Sequence, residues 1–265
     1  MNASVPKPAR SVLAVGSGKG GVGKSTVALN LAIALRDSGA RAGILDADLF
    51  GPNIPRMLDL ARPRSASSWE LARNPDLGAI HIEPLERFVI QVMSSGFVIG
   101  EDHPLTLASS FIDMIVRQFF VDVAWDDLDY LLVDLPPGTA DLHQTLTARF
   151  PLDGALIVVT PEDVAHLDGR KAVEMFRRAG VRIIGGVENM AGMRCPHCDE
   201  HIELLPQAAE DRTIWARGVE RLAQIPFDPA VARGGEGGRP VMIGSPESAA
   251  SDGFRQLATR IRTNE

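Results

Sequence analysis

The sequence predicts an α/β fold with a doubly wound, mostly parallel sheet. Short runs rich in β-branched residues alternate with longer stretches of helical periodicity, and a glycine-rich turn joins the first run to the first helix. An apolar run at 11–15 precedes an apolar helical face at 24–38, which stops at Gly39, and a second apolar run follows at 40–48. This order is typical of a parallel βαβ unit.

The remaining elements repeat this alternation. We expect further strands at 79–84, 87–94, 129–134, 154–160 and 182–187, and helices at about 104–121, 166–179, 207–218 and 247–262. Residues 61–78 are rich in Pro, Ser and Arg and lack periodicity, so this segment is interpreted as a surface excursion. Because the alternation resumes beyond it, we predict one domain at 11–265 after a flexible tail at 1–10.

Composition excludes several classes of protein. The chain has 265 residues, with 27 basic and 34 acidic side chains, a formal net charge of −7 and no basic cluster, so nucleic acid is not an expected partner. No run approaches the roughly 18 apolar residues of a membrane-spanning helix, and the polar start has no signal-peptide core. A cytoplasmic protein without a membrane partner is therefore expected. Two cysteines are too few for a disulfide framework, so any role they have is chemical.

The glycine-rich turn, GSGKGGVGKST at 16–26, fits a phosphate-binding loop. Its backbone N–H groups and the following helix N-terminus favour an anion. Lys24 is expected to reach the β- and γ-phosphates of a nucleotide, Ser25 to ligate Mg²⁺ and Thr26 to lie near the α-phosphate. The alternative is a glycine-rich turn without a ligand. The residues expected around the phosphates are Gly18, Lys19, Gly20, Gly21, Val22, Gly23, Lys24, Ser25 and Thr26.

Lys19 is a second lysine in a loop that requires only one. As a solvated surface side chain it would need no ligand. We favour a catalytic role, because a second cation beside a triphosphate stabilises the charge that develops in phosphoryl transfer. A partner subunit's phosphate is easier to reach from this position than the chain's own, so Lys19 suggests a homodimer.

Three carboxylates end predicted strands, and in a doubly wound sheet these ends face the ligand crevice. Asp134 follows a buried run and is expected to hold Mg²⁺ through water. Asp48 is expected to orient or deprotonate the attacking water, and Asp46 to lie near the metal, unless it only caps a turn. Residues 136–138, Pro-Pro-Gly, suit a switch loop that senses the γ-phosphate.

Cys195 and Cys198 form a C-x-x-C pair in which the intervening turn directs both sulfurs the same way. A four-iron cluster or a tetrahedral zinc requires four ligands, and two chains together offer four thiolates. A redox pair, a zinc site completed by His197 or His201, and two idle thiols remain as alternatives.

The motifs GKGGVGKS, DADLFGPN, DLPPGTAD and ENMAGMRCPHC together resemble the Mrp/ApbC group of iron–sulfur cluster carrier ATPases, a deviant Walker A class of P-loop NTPase that includes MinD, ParA and the nitrogenase iron protein. The resemblance covers about residues 11–242. It implies that Lys19 crosses a dimer interface, that Asp48 lies in switch I and that 136–141 form switch II. It also implies ATP as the nucleotide and a [4Fe–4S] cluster bridged across the dimer.

The resemblance further implies a base pocket. Asn189 would read the adenine edge, which agrees with the paired donor and acceptor of its carboxamide, although the same residue could end a strand through turn chemistry. The segment from Pro226 to Asp228 would form the opposite wall. The chain departs from the family pattern at 101–110 and at 204–211, and it has Glu236 where the family has Asp.

The expected function is therefore that of a homodimeric ATPase that assembles a labile [4Fe–4S] cluster and passes it to apo-proteins. A nucleotide-dependent positioning switch of the MinD/ParA kind is the main alternative, and it would require a membrane anchor or a DNA-facing patch. A small-molecule kinase would require an acceptor pocket that the sequence does not indicate.

Overall fold

The computed structural model describes residues 7–49, 51–60, 82–97, 118–138, 147, 150–195, 197–198 and 200–263. The strands are β1 (Ala9–Gly16), β2 (Ala42–Asp46), β3 (Leu85–Arg87), β4 (Ile90–Ser94), β5 (Leu128–Asp134), β6 (Gly154–Val159), β7 (Ile183–Asn189), β8 (Met193–Arg194), β9 (His201–Ile202) and β10 (Arg221–Ile225). The helices are α1 (Lys24–Asp37), α2 (Ile54–Met57), α3 (Asp163–Arg178), α4 (Pro229–Glu236), α5 (Val241–Gly244) and α6 (Ala249–Thr263). No helix within these ranges is long and apolar enough to cross a membrane.

The main sheet has the strand order β10-β7-β6-β1-β5-β2-β4-β3. Every neighbouring pair is parallel except β3 and β4, which form an antiparallel hairpin at one edge. The central strands are buried on both sides, as in β6, where all residues are buried, and this is why they appear as continuous apolar runs in the sequence. The predicted mostly parallel α/β sheet is confirmed.

The sheet is doubly wound. The connection from β1 through α1 leads to β2 on one side of β1, whereas the connection from β6 through α3 leads to β7 on the other side. Right-handed crossovers that run in opposite directions place their helices on opposite faces of the sheet. The carboxyl ends of β1, β5 and β2 therefore meet at the point where the direction reverses, which is where such folds bind ligands.

Strand register brings acidic residues together at this edge. Asp134 at the end of β5 pairs in register with Asp46 at the end of β2 and with Val15 on β1. Both carboxylates are fully buried. The chain leaves β1 directly into the glycine-rich loop, so the loop and the carboxylates share one end of the sheet.

Several predicted elements differ from the structure. Residues 87–94 form a hairpin instead of one strand, because Phe88 and Val89 turn the chain with φ of 50° and 56°. At 207–218 the predicted helix is wrong: Glu210–Arg212 and Trp215–Arg217 form separate 3₁₀ turns. Between them the Thr213 hydroxyl donates to the Glu210 carbonyl and accepts from the Ala216 N–H, and this competition from a side chain breaks the helix.

Other boundaries shift or were not predicted. β1 begins at Ala9, inside the predicted tail, and α3 begins at Asp163. The sequence did not indicate α2, α4, α5, β10 or the β8–β9 hairpin. The excursion at 61–78, most of the helix at 104–121, the first half of the strand at 79–84 and the departure at 101–110 lie outside the described residues, and Ile82 makes a single parallel bridge with Val123.

Candidate functional site

The phosphate-binding loop occupies 17–23, between β1 and α1. Gly21 and Gly23 adopt φ of 81° and 83°, a region that side chains disfavour. Gly18 is required for a different reason: a Cβ at this position would lie 2.0 Å from the backbone carbonyl carbon of Asp168 on α3. The loop is thus shaped by its own backbone and held against α3.

The loop forms one wall of a cavity of about 510 Å³, a volume within the range of small-molecule sites. The predicted site residues that line it are Lys19, Gly20, Gly21, Gly23, Lys24, Ser25, Thr26, Asp48, Asn189, Pro226 and Asp228. Val22, Asp46 and Asp134 do not line it and are buried. The opposite wall is formed by α2 and α4, which were not predicted.

Lys24 and Asp134 form a buried ion pair. Lys24 Nζ lies 2.6 Å from Asp134 Oδ1, and the two side chains are 6% and 0% exposed. Burial raises the pKa of Asp134, while the Lys24 ammonium opposes that rise and Asp48 adds repulsion. Asp134 Oδ2 is buried and makes no hydrogen bond of ordinary geometry within the described part of the chain. A hydrogen bond with the Ser25 side chain also opposes the rise in the pKa of Asp134, and an ionised carboxylate has about four lone-pair sites, so Asp134 can accept a further hydrogen bond.

Asp46 holds the turn after β2. Its Oδ1 accepts the N–H of Asp48 at 3.2 Å, and its Oδ2 accepts the N–H of Ile54 at 3.2 Å and the hydroxyl of Ser94 at 3.0 Å. Burial and the nearby Asp134 carboxylate raise the pKa of Asp46 to about 8. The turn-capping role that the sequence left as an alternative is therefore the one that the contacts of Asp46 support, while a role near the metal is not tested.

Asp48 is the carboxylate that borders the cavity. Its side chain is largely buried, and its Oδ1 accepts the N–H of Gly51 at 3.2 Å. Ser95 also contacts this turn, donating its hydroxyl to the Asp48 carbonyl at 3.0 Å. Asp48 is thus held at the cavity wall by the turn that Asp46 caps.

Lys19 is paired within its own chain. Its Nζ lies 3.7 Å from Glu162 Oε2, and both side chains are 29% exposed. Glu162 precedes the first residue of α3 and accepts a hydrogen bond from the Thr160 hydroxyl. Glu162 was not predicted as a site residue, because its contact with Lys19 joins segments far apart in the chain.

Asn189 links β7 to the phosphate-binding loop. Its Nδ2 donates to the Val22 carbonyl at 2.9 Å, and a Cβ on Gly23 would lie 2.2 Å from the same nitrogen. Among the described residues this is the hydrogen bond of the Asn189 amide, so one N–H and Oδ1 remain for other partners there. The next residue, Met190, also lines the cavity and adopts φ of 56°.

The segment after β10 forms the far wall of the cavity. Asp228 caps the N-terminus of α4, accepting the Ala230 N–H at 2.8 Å. Phe227 is 39% exposed and lines the cavity between Pro226 and Asp228. The predicted wall at 226–228 includes Phe227, although only Pro226 and Asp228 were named as site residues.

The two cysteines lie on the β8–β9 hairpin, which follows β7. Cys195 is half-buried and Cys198 is exposed, and the Cys195 N–H donates to the Glu200 carbonyl at 2.8 Å. Within the described ranges no group of three or more His, Cys, Asp or Glu side chains is arranged to hold a metal ion. A zinc site completed by His197 or His201 is therefore not formed by the described residues of one chain.

The base of this hairpin is bonded to the cavity wall. The Phe227 N–H donates to the Gly192 carbonyl at 2.7 Å, and the Ala191 N–H donates to the Ile225 carbonyl at 3.0 Å. Gly192 itself has φ of 85° and leaves no room for a Cβ beside His201. The thiols and the cavity are consequently parts of one connected region.

Sheet order, loop and buried Lys24–Asp134 pair together define a P-loop NTPase of the ParA/MinD type. A family model described as "ParA: NUBPL iron-transfer P-loop NTPase" matches residues 8–262. The chain belongs to this Mrp/ApbC/NUBPL family of iron–sulfur cluster carriers, which confirms the resemblance seen in its motifs.

Individual relatives agree. The chain is 38% identical over 262 residues to the iron-sulfur cluster carrier protein of Haemophilus influenzae, covering 99% of this chain and 68% of that protein. It is 35% identical to the iron-sulfur cluster transfer protein NUBPL of Dictyostelium discoideum, covering 95% and 76%. Its structure resembles a nucleotide-binding protein from Archaeoglobus fulgidus solved with ADP (TM-score 0.73, 33% identity, 93% of each chain) and the cell division ATPase MinD of Pyrococcus furiosus (TM-score 0.71, 26% identity, 97% and 100%).

Proposed function

We propose that this chain hydrolyses ATP as a homodimer, holds a labile [4Fe–4S] cluster on the Cys195 and Cys198 thiolates of both subunits, and passes it to apo-proteins. The observation that carries this proposal is the connection between the thiol hairpin and the nucleotide cavity. β7 ends at Asn189 in the cavity wall, the hairpin follows, and its base is bonded through Gly192 to Phe227 on the opposite wall. A change at the base pocket therefore has a short path to the thiols.

ATP fits the cavity with its phosphates on the loop and its base between Asn189 and Phe227. Lys24 would exchange its contact with Asp134 for the β- and γ-phosphates, remaining beside an anion throughout. Asp48, at the wall, would orient the attacking water. The Asn189 amide would meet the adenine edge with the groups that Val22 leaves available.

Mg²⁺ fits the donors at the phosphate end, because it prefers oxygen ligands. The Ser25 hydroxyl would bind it directly, and the unbonded Asp134 Oδ2 would accept from one of its waters. When bound, Mg²⁺ would neutralise charge on the phosphates.

Lys19 would act across the dimer. In the single chain its ammonium is neutralised by Glu162 at 3.7 Å, a partly exposed contact of the kind that is worth little and is readily exchanged. A partner's triphosphate carries more negative charge than one carboxylate, so dimerisation with ATP bound would draw Lys19 away from Glu162.

The cluster would be the cargo. Each chain supplies two thiolates, so two chains supply the four that a [4Fe–4S] cluster takes. Cys195 is half-buried and Cys198 is exposed on a short hairpin. A cluster held there would be accessible to other proteins, so this site suits release of a cluster more than its storage. Nucleotide would control release if it favours one dimer arrangement over another.

Anaerobic reconstitution with iron and sulfide tests the proposal. Wild-type protein should bind about four irons per two chains, and the double variant C195S/C198S should bind none while still binding ATP. The matched control H197A/H201A keeps both thiols and should retain iron. Equal iron in C195S/C198S, or a loaded protein that sediments as a monomer, would overturn the assignment.

A further inference from the structure

An exposed ion pair joins α2 and α4, which form one wall of the cavity. Arg56 on α2 donates to Glu236 at the end of α4. Their side chains are 71% and 70% exposed, and both residues also line the cavity. The pair thus joins the two elements at the solvent side of the proposed nucleotide site.

The end of α4 that carries Glu236 is intrinsically soft. Gly234 and Gly235 lie in the last turn of α4, within the sequence RGGEGGR at 233–239, whereas Gly237 and Gly238 follow the helix at its C-terminal cap, where glycine is favoured. Glycine in a helix costs roughly 1 kcal/mol relative to alanine, so the last turn of α4 is weakly held by its own backbone. No residue of α4 is fully buried, and the residues that pack partly against the core, Ala230 and Val231, lie near its beginning.

Packing explains some of these glycines and not others. A Cβ on Gly234 would lie 2.5 Å from the Arg239 carbonyl, and one on Gly238 would lie 2.3 Å from Asp59 Cβ. Gly235 is different: a Cβ there would lie 3.8 Å from Met57 Cε, an ordinary contact. The glycine at 235 is therefore not demanded by space, and its effect is to loosen the helix end.

Each partner of the pair is connected to a different end of the cavity. α2 follows the turn that carries Asp48, and the N–H of its first residue, Ile54, is bound by Asp46. α4 begins at the Asp228 cap beside the wall for the base. Movement between α2 and α4 would therefore change both the phosphate end and the base end of the cavity.

We propose that the Arg56–Glu236 pair is a latch that closes the soft end of α4 over the cavity and sets the rate of nucleotide release. This rests on the proposed nucleotide site. An exposed ion pair contributes at most about 1 kcal/mol, so its loss should accelerate release by about two- to fivefold, and its strength should fall as salt screens it.

Stopped-flow release of the fluorescent analogue mant-ADP from the full chain tests the latch. E236Q and R56Q should each accelerate release about two- to fivefold, the double variant R56Q/E236Q should be no faster than either, and the charge swap R56E/E236R should restore the wild-type rate. Raising salt from about 50 mM to about 500 mM should accelerate wild type more than E236Q. G235A should slow release, because alanine stiffens the helix end.

A matched control comes from another exposed pair. Glu174 and Arg178 on α3 form a contact of 2.9 Å with side chains 55% and 80% exposed, so E174Q should leave the release rate unchanged. Unchanged or slower release from E236Q, or no rescue by the charge swap, would overturn the latch while leaving the nucleotide site intact. Failure of wild type to bind mant-ADP would instead overturn the nucleotide site itself and the latch with it.

Discussion

Replacing Lys24 should destabilise the nucleotide-free protein, beyond any effect on nucleotide binding. Lys24 Nζ lies 2.6 Å from Asp134 Oδ1, and an effective dielectric constant of about 20 gives roughly 6 kcal/mol of attraction at that distance. Desolvation offsets part of this attraction, and breaking a buried pair by removing one partner typically costs about 3–5 kcal/mol. K24M leaves Asp134 as a buried acid without its cation, so we expect a loss of about that size.

The two partners should not be equivalent. D134N also removes the carboxylate that repels Asp46, so it should cost less than K24M, and the double variant K24M/D134N should recover part of the K24M loss.

The pH dependence of the K24M loss has a definite sign. K24M removes the ammonium that opposes the rise in the pKa of Asp134, so its deficit should be smaller at about pH 6, where the carboxylate is protonated more easily, than at about pH 9.

Urea unfolding followed by circular dichroism at both pH values measures these effects. The control is K171M, which makes the same substitution at an exposed lysine that pairs with Asp168. It should leave the stability almost unchanged. A stabilising role for the Lys24–Asp134 pair would be refuted if D134N were as destabilising as K24M, if the double variant showed simple additivity, or if the K24M deficit did not grow with pH.

Three further predictions follow from single contacts. E162Q should free Lys19 and increase the ATP-dependent dimer fraction about two- to fivefold in sedimentation velocity, consistent with the loss of a weak ion pair; a lower dimer fraction would contradict this. F227A should weaken mant-ATP binding about five- to tenfold while F227Y retains it, since both aromatic rings stack on a base; equal losses would exclude stacking. Because the pKa of Asp46 is raised to about 8, the free energy of unfolding should fall as pH rises from about 4 to about 8. D46N should reduce this pH dependence in urea unfolding. An unchanged pH dependence in D46N would mean that another group causes it.

Local and periodic features of the site were predictable from sequence. The spacing of Gly18, Gly23, Lys24 and Ser25 predicts a phosphate-binding loop, because the shape of such a loop depends on residues that are close together in the chain. The loop lies between a strand and a helix, as predicted. The position of Asp134 at the end of a buried run also follows from topology, because the carboxyl ends of parallel strands meet at one edge.

Contacts between distant segments were not predictable. Glu162 contacts Lys19, and Glu236 contacts Arg56, although the two residues of each pair are far apart in the chain. The periodicity of a sequence gives no information on such contacts. The failed helix at 207–218 has a different, local cause: the bonds of Thr213 to residues three positions away compete with the helical pattern that the apolar residues suggest.

The sequence alone determined the α/β class, the parallel strands, the phosphate-binding loop, the acids at the strand ends and the thiol pair, because each depends on residues close together in the chain or on the repeating side-chain period. Only the tertiary structure decided which partners the side chains of the site contact. It directed Lys24 to Asp134, Lys19 to Glu162, and the Asn189 amide to Val22. The physical reason is that charge pairing and hydrogen bonding depend on distance in space, which chain order does not specify.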